Sequence, residues 1–424
     1  MDNPEPNCKH DQNVGLDNSV FSNVWYGNMA SRLLPVGQIT VQMLRSLIDL
    51  EIAEGQAIEF KRVINIADHS AKKKLSAEAA SFANASGGDI VFGMDEQAGK
   101  ASGLVALPNF DADKIELQVR QIFNSHIDPP LPGLSFCPVA IAPGEFALVL
   151  RIPRSWTRPH ALLGDPLQFF VRDGNRRRGF TVRELREAFG LSASIADRMK
   201  KFRADRIASL LSDAACPLSS RPFVVLHIMP QGAFDSAQSV DLALVMNRPG
   251  LIWPMRDAGF STKLNFDGVL AYFPGDHLAQ EAKSVRSYVQ VFRDGCVEIV
   301  TTEIFHDLEH GKIIFPAYEE SIELAVRRHL IMLEAARVEP PFFVALTVIG
   351  AEDYSLAVRD RFGFERVSAP IGREIVIVPE TPIYTYASTY HDGLKEPFDR
   401  IWQTCGQSGS INYSSGKWSP AWKL

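Results

Sequence analysis

The chain has 424 residues, enough for two or three domains. With 46% hydrophobic and 22% charged residues it is ordinary globular material, and no apolar run approaches the length of a membrane span. A net charge of −6 excludes a chain that is basic throughout, so any nucleic-acid contact must be a local patch. The N-terminus, Met1-Asp2-Asn3-Pro4-Glu5-Pro6, lacks the basic-then-apolar layout of a signal peptide. Cys8, Cys137, Cys216, Cys296 and Cys405 are odd in number and form no CxxC, which suggests neither a disulfide framework nor a zinc site. The expected setting is a reducing cytoplasm, with no membrane partner.

Residues 1–35 are polar and without period, and they read as a loose arm pinned by Trp25 and Tyr26. From Thr40 the spacing of Val41, Leu44, Leu47 and Ile48 predicts a helix. A strand follows in which Ile58 and Phe60 alternate with Glu59 and Lys61. Residues two apart share a face, so Glu59 and Lys61 point together away from the core. Glu54 has the wrong parity for that face, but Gly55 permits a turn that aims it back. Leu75, Ala79, Phe82 and Ala83 predict a helix, with Lys72, Lys73 and Lys74 near its start. Those lysines oppose the helix dipole. They form either a solvated cap or a phosphate-contacting patch. The double glycine at 87–88 turns the chain into an apolar run, Ile90 to Met94, closed by Asp95 and Glu96. A carboxylate beside an ammonium, with further carboxylates from neighbouring turns, is what metal-assisted phosphodiester cleavage requires.

Further on, residues 111–127 predict an amphipathic helix, and Phe146–Ile152 and Gln168–Arg172 predict strands. A turn at Asp173-Gly174 leads to Arg176, Arg177 and Arg178. These, with Arg172, form either a solvated turn or an edge that grips phosphates. Thr181 caps a helix ending near Phe189, and a linker helix follows over 191–212. The linker carries Arg198, Lys200, Lys201, Arg203 and Arg206 beside an apolar stripe. It either packs on both domains or contacts nucleic acid. Beyond Cys216-Pro217 the pattern predicts a strand at 223–228, a hairpin over 289–300 turning at Asp294-Gly295, and a helix over 318–338. Buried strands are predicted at 342–349 and 374–378, a helix at 394–404, and a flexible tail from Gly406.

The pattern Glu54-x4-Glu59-Phe60-Lys61, followed by Ser81-Phe82-Ala83-Asn84-Ala85-Ser86-Gly87-Gly88-Asp89-Ile90-Val91-Phe92-Gly93-Met94-Asp95, resembles the Schlafen AlbA_2 domain. Ile127-Asp128-Pro129-Pro130, Arg158-Pro159-His160, Phe169 to Gly174 and Thr181 to Glu184 continue the likeness over roughly 38–190. The resemblance implies an α+β architecture, with a Schlafen/AlbA_2-like N-terminal domain over 36–190. A linker helix over 191–215 and a mixed α/β C-terminal domain over 216–424 complete the expected layout. In nuclease members two glutamates and an acidic residue after the Gly-Gly strand form the metal site. Here these are Glu54, Glu59 and Asp95, with Glu96 the alternative third acid. They would hold Mg²⁺ or Mn²⁺, with Lys61 stabilising the transition state. The expected function is a metal-dependent nuclease of Schlafen type, an endoribonuclease acting on structured RNA such as tRNA, or on other nucleic acid. The alternative is a non-catalytic nucleic-acid-binding regulator whose C-terminal domain senses a ligand or partner. Lys72, Lys73, Lys74, Arg172, Arg176, Arg177 and Arg178 are the expected phosphate contacts, with RNA favoured over DNA. Only one copy of the motif occurs, and a homodimer would supply a second.

Two rival motifs are weaker. Gly93 to Lys100 resembles a phosphate loop, but its spacing is wrong and Ala101 replaces the Ser or Thr, so a turn between strands is expected. His306 and His310, four apart, fit a metal site only on a helix, and a solvated turn is the simpler expectation.

Overall fold

The computed structural model describes residues 37, 39–108, 110–212, 216–219, 221–235, 238–255, 259–274, 284–309, 311–359, 365–384, 386 and 390–420. The expected arm over 1–35 and His310 lie outside the described residues.

Helix α1 (Val41–Asp49) starts on Thr40, whose side chain accepts from the Met43 N–H, and buries Leu44 and Leu47. Strand β1 (Ile58–Lys61) and helix α2 (His69–Asn84) follow, the helix capped by Asp68. Then come β2 (Gly87–Phe92), β3 (Met94–Gln97), β4 (Lys100–Leu104), α3 (Ala112–His126) and β5 (Ile127–Asp128). The unit closes with β6 (Ser135–Ala142), β7 (Glu145–Pro153), β8 (Ala161–Leu162), β9 (Gln168–Asp173) and β10 (Arg176–Gly179). One sheet runs β1-β2-β7-β6, with β1 parallel to β2, and an outer sheet runs β10-β9-β8-β5.

Alternation decides what each face buries. Ile90, Phe92, Leu148 and Leu150 meet α2 and α3, whereas Ile58, Phe60, Val91 and Val149 meet α1. Each such fully buried Phe contributes about 1.5–3 kcal/mol. Glu59 and Lys61 therefore face the α2 side. Gly88 brings α2 close: a Cβ there would lie 2.5 Å from the Phe82 ring and 2.8 Å from the Ala57 carbonyl oxygen. The apolar run expected from Ile90 to Met94 is broken into two strands at Gly93, whose φ is +84°. Gly93 to Lys100 forms the expected turn between strands, the β3–β4 hairpin.

The expected helix boundary near 189–191 does not exist. A single 30-residue helix, α4 (Val182–Leu211), runs through Gly190, opened by a reciprocal capping box between Thr181 and Glu184. One glycine costs only about 1 kcal/mol in a helix, and the packing of Ile195 and Met199 on Met229, Phe234 and Phe292 outweighs it.

The second unit holds β11 (Phe223–Pro230), two short helices α5 (Gly232–Asp235) and α6 (Leu242–Met246), β12 (Ser261–Leu264), β13 (Gly268–Pro274), β14 (Val285–Phe292) and β15 (Val297–Thr301). Next come β16 (Phe305–Leu308), β17 (Gly311–Ile314), α7 (Tyr318–Ala335), β18 (Phe342–Ile349), β19 (Ser355–Arg359) and β20 (Glu365–Pro370). The last elements are β21 (Ile375–Ile377), β22 (Thr381–Ile383), α8 (Tyr390–Thr404), β23 (Tyr413–Ser414) and β24 (Lys417–Trp418). The main sheet runs β12-β13-β14-β15-β11-β18-β21, with β22 also on β18, and all its described pairings are antiparallel. Helices α7 and α8 cover one face through Ile322, Val326, Phe398 and Trp402, while α4 covers the other. The whole is α+β.

Helix α4 is fastened by charge as well. Arg206 grips Glu298 with two bonds of 2.9 and 2.7 Å, and Arg203 donates to the Leu346 and Val378 carbonyls and to Thr347. Both arginines are thus spent on packing the second unit, whereas Arg198, Lys200 and Lys201 stay on the exposed face of the helix. The strand expected at 374–378 is the shorter edge strand Ile375–Ile377, and only Val376 and Val378 of that stretch are buried. The tail expected to be flexible is fastened instead. Asn412 is buried and donates to Pro316 O and Glu319, and Ser410 donates to Glu319. His306 stands on a strand opposite Ile313, so the helical spacing needed for the i, i+4 metal pair is absent.

Candidate nucleic-acid interface

Strand β1 is an edge strand, so Glu59 sits at a rim rather than in the sheet centre. It is nevertheless buried, because β9 and α2 close over it. Its Oε1 pairs with Lys61, and its Oε2 accepts from Arg172 Nη2 at 2.5 Å. Arg172 continues to Glu78 at 3.2 Å, and Glu78 continues to Arg177 at 3.3 Å. The result is an alternating ladder, Lys61–Glu59–Arg172–Glu78–Arg177.

Glu54 resolves its parity problem as expected: its Oε1 accepts the Phe60 N–H at 2.8 Å, which turns the carboxylate back toward β1. Burial pushes its pKa up. The Phe60 bond opposes that shift, and the neighbouring Glu59 and Glu96 carboxylates add to it. Glu78 is likewise pushed up, by burial first and then by Glu59. Asp95 points elsewhere. The Gly93 corner and a register shift between Asp95 and Glu96 turn it to Arg62, which it meets at 2.5 Å. Of the two candidate third acids, Glu96 is among the charges that raise the Glu54 pKa.

This arrangement does not fit a shared Mg²⁺ or Mn²⁺. Such an ion takes carboxylate oxygens in one sphere. Both Glu59 oxygens are held by cations, one Glu54 oxygen is held by Phe60, and Asp95 is held by Arg62. Among the described residues no group of three or more His, Cys, Asp or Glu side chains is placed to hold a metal.

The basic residues also separate. Arg172 is corrected from a phosphate contact to a buried support: it bonds Glu59, Glu78 and the Gly55 carbonyl, and lies over the Phe82 ring at 4.5 Å. Arg177 stands opposite Arg172 in the β9–β10 register, so the two share the face toward α2. Arg176 and Arg178 take the other face. Arg178 is engaged by Asp173 and Glu184; its bond, and then those from the Thr181 N–H and hydroxyl, hold the Glu184 carboxyl down at about 2.

On the α2 side, Ser70, Lys73, Lys74 and Ala77 form one helical stripe. They face Leu162, Gln168, Phe170 and Arg177 of the outer sheet across an open cleft of about 160 Å³. Lys73, Lys74 and Arg177 are its cations, and Lys72 is not part of its lining. Sequence reasoning missed Glu78, Gln168 and Phe170. The parity of Gln168, Phe170 and Arg172 on one strand face, and the i, i+4 spacing of Lys74 and Glu78, were the signals available.

Residues 54–181 match the family model described as Schlafen, AlbA_2. This segment is a Schlafen AlbA_2 domain. Two solved structures are similar in part, each at 20% identity and a TM-score of 0.23. The N-terminal domain of a RecG-related protein from Nitrosomonas europaea covers 28% of this chain and 75% of its own. The DIP2311 protein from Corynebacterium diphtheriae covers 33% of this chain, which spans only 26% of that protein. No curated protein matches the chain. Membership of the AlbA_2 domain family points to a nucleic-acid-related role. Among the described residues no helix is long and apolar enough to cross a membrane.

Proposed function

We propose that the AlbA_2 domain binds nucleic acid by its phosphates, along the junction of α2 with β9 and β10. The carrying observation is the cleft whose cations, Lys73, Lys74 and Arg177, come from two elements and converge on one opening. Lys72 and Arg176 lie outside it as flanking charges. RNA is the favoured partner, because the nucleases that the domain resembles act on structured RNA. The C-terminal unit, bolted on through α4, is the regulatory half of this reading. A second copy of the chain would double the cationic face, and light scattering with and without RNA tests that dimer. Phosphate contacts release counterions, so affinity should fall steeply with salt. Neutralising Lys73 and Lys74 should weaken binding to all sequences and flatten the slope of log affinity against log salt by about one per lysine. Unchanged affinity and slope in K73Q/K74Q/R177Q would end this reading.

Strand scission is a second reading with one observation behind it: Lys61 stays partly exposed on the same rim as Glu59 and Glu54. Incubating RNA and DNA with Mn²⁺ or with EDTA tests it. Lys61→Met is the cleaner control, because Glu59→Ala also strips Arg172 of a partner.

A further inference from the structure

The cleft between α2 and the outer sheet has more than charge. Its walls are cationic and polar, with Lys73, Lys74, Arg177, Ser70 and Gln168, but its remaining lining is apolar: Ala77, Leu162 and Phe170. The Arg177 guanidinium lies over the Phe170 ring, 5.4 Å from its centroid. Arg177 is itself positioned by the Lys74 carbonyl at 3.2 Å and by Glu78, so the ring and the guanidinium form a fixed pair. A site for a bare phosphate needs donors only. A surface for a duplex backbone needs a row of charges on an open face, not a recess floored by an aromatic ring.

We infer that the cleft takes one unstacked nucleotide of a nucleic-acid chain: its phosphate between Lys73, Lys74 and Arg177, its base against Phe170. This rests on the nucleic-acid-binding reading and narrows it to unpaired strands. The volume agrees. If one water needs on the order of 10–15 Å³ of such space, about 160 Å³ admits roughly 11–16 heavy atoms, a phosphate with its sugar edge and part of a base. The base would stay partly in the open mouth. Stacking on an aromatic side chain is tolerant of sequence, because every base has a π-face. Gln168 and Ser70 supply hydrogen-bonding groups without the fixed array that would read one base.

The test is fluorescence anisotropy with the full chain and labelled oligonucleotides of equal length, single-stranded and duplex, as RNA and as DNA. Single strands should bind at least several-fold tighter than duplexes. Phe170→Ala should cost single-strand affinity about 10-fold and cost duplex affinity distinctly less, because the phosphate cations remain. Phe170→Leu keeps the apolar volume and guards against a folding defect. It should lose a similar factor while its circular dichroism and melting temperature match the parent. Equal binding of single strands and duplexes, or full single-strand affinity in a folded Phe170→Leu variant, overturns the inference while leaving phosphate binding intact. Failure of both strands to bind the parent protein overturns the broader reading instead.

Discussion

Two charged clusters flank the domain junction, built from the same groups and closed differently. Beneath α4, Glu298 is fully buried and receives Arg206 twice, His227 at 3.0 Å and Tyr288 at 2.7 Å. Burial pushes that carboxyl up, but the donors win and bring it down to about 2. On the AlbA_2 side the ladder from Lys61 to Arg177 has fewer donors per carboxylate, and burial wins at its Glu78 and at the neighbouring Glu54, both pushed up. Its two ends, Lys61 and Arg177, also retain exposure. A cluster saturated on all sides is a rivet. A cluster left open at its ends keeps cations where a solute can reach them, and the proposed binding surface lies beside the open one.

The largest effects should come from breaking each cluster at its arginine. Removing one partner from a buried pair typically costs about 3–5 kcal/mol, because the other charge is left uncompensated. Arg206→Ala should lie at the top of that range, since Glu298 keeps only His227 and Tyr288, whereas Arg172→Ala should lie lower because Glu59 keeps Lys61. Urea unfolding gives both values. Nucleic-acid affinity at low temperature should survive Arg206→Ala and fall with Arg172→Ala. Equal losses of affinity would dissolve the distinction between rivet and interface.

A carboxylate in the second unit sharpens the point with the opposite sign. Glu319 is buried and bonded by Trp402, Ser410 and Asn412, yet burial dominates and pushes it up to about 7. An unfolded glutamate titrates near 4.3, so the folded state holds this proton over a wider range. Its stabilisation is complete below about pH 4 and is lost as pH rises through about 7, a change of roughly 3 kcal/mol. Thermal melts of the parent should therefore lose more stability between pH 5 and pH 8 than melts of Glu319→Gln. Parallel pH profiles would refute the assignment.

The smallest effect should come from Arg178. It is exposed, and its pairs with Asp173 and Glu184 are surface pairs that contribute little. Arg178→Ala should leave the melting temperature and the affinity for RNA within error, next to a clear loss of affinity in Arg177→Ala. The two neighbours carry the same charge and occupy opposite faces of β10. A matching loss at both positions would show that net charge, not the cleft, governs binding.

How much of this was legible before folding depends on range. Period-two alternation set Glu59 and Lys61 on one face, the double glycine marked the start of β2 just after the turn at Ala85-Ser86, and Thr181 with Glu184 announced a helix start. Each is a contact or parity within a few residues, which the order of the chain dictates. The AlbA_2 motif was legible for the same reason. The tertiary structure decided the rest. Arg172 looked like one more basic residue beside Arg176–Arg178, until the fold brought it against Glu59, 113 positions away, and buried it. Asp95 and Glu96 were interchangeable in sequence, until the corner at Gly93 sent one to Arg62 and left the other near Glu54. The break expected at Gly190 vanished because the second sheet packs along α4 from Leu191 onward, while Phe189 meets Phe169 of β9 just before it. The tail became ordered through Glu319, about 90 residues earlier. A charged side chain has no preferred partner in the sequence. Its role depends on burial and on which opposite charge arrives, and only the packed chain determines both.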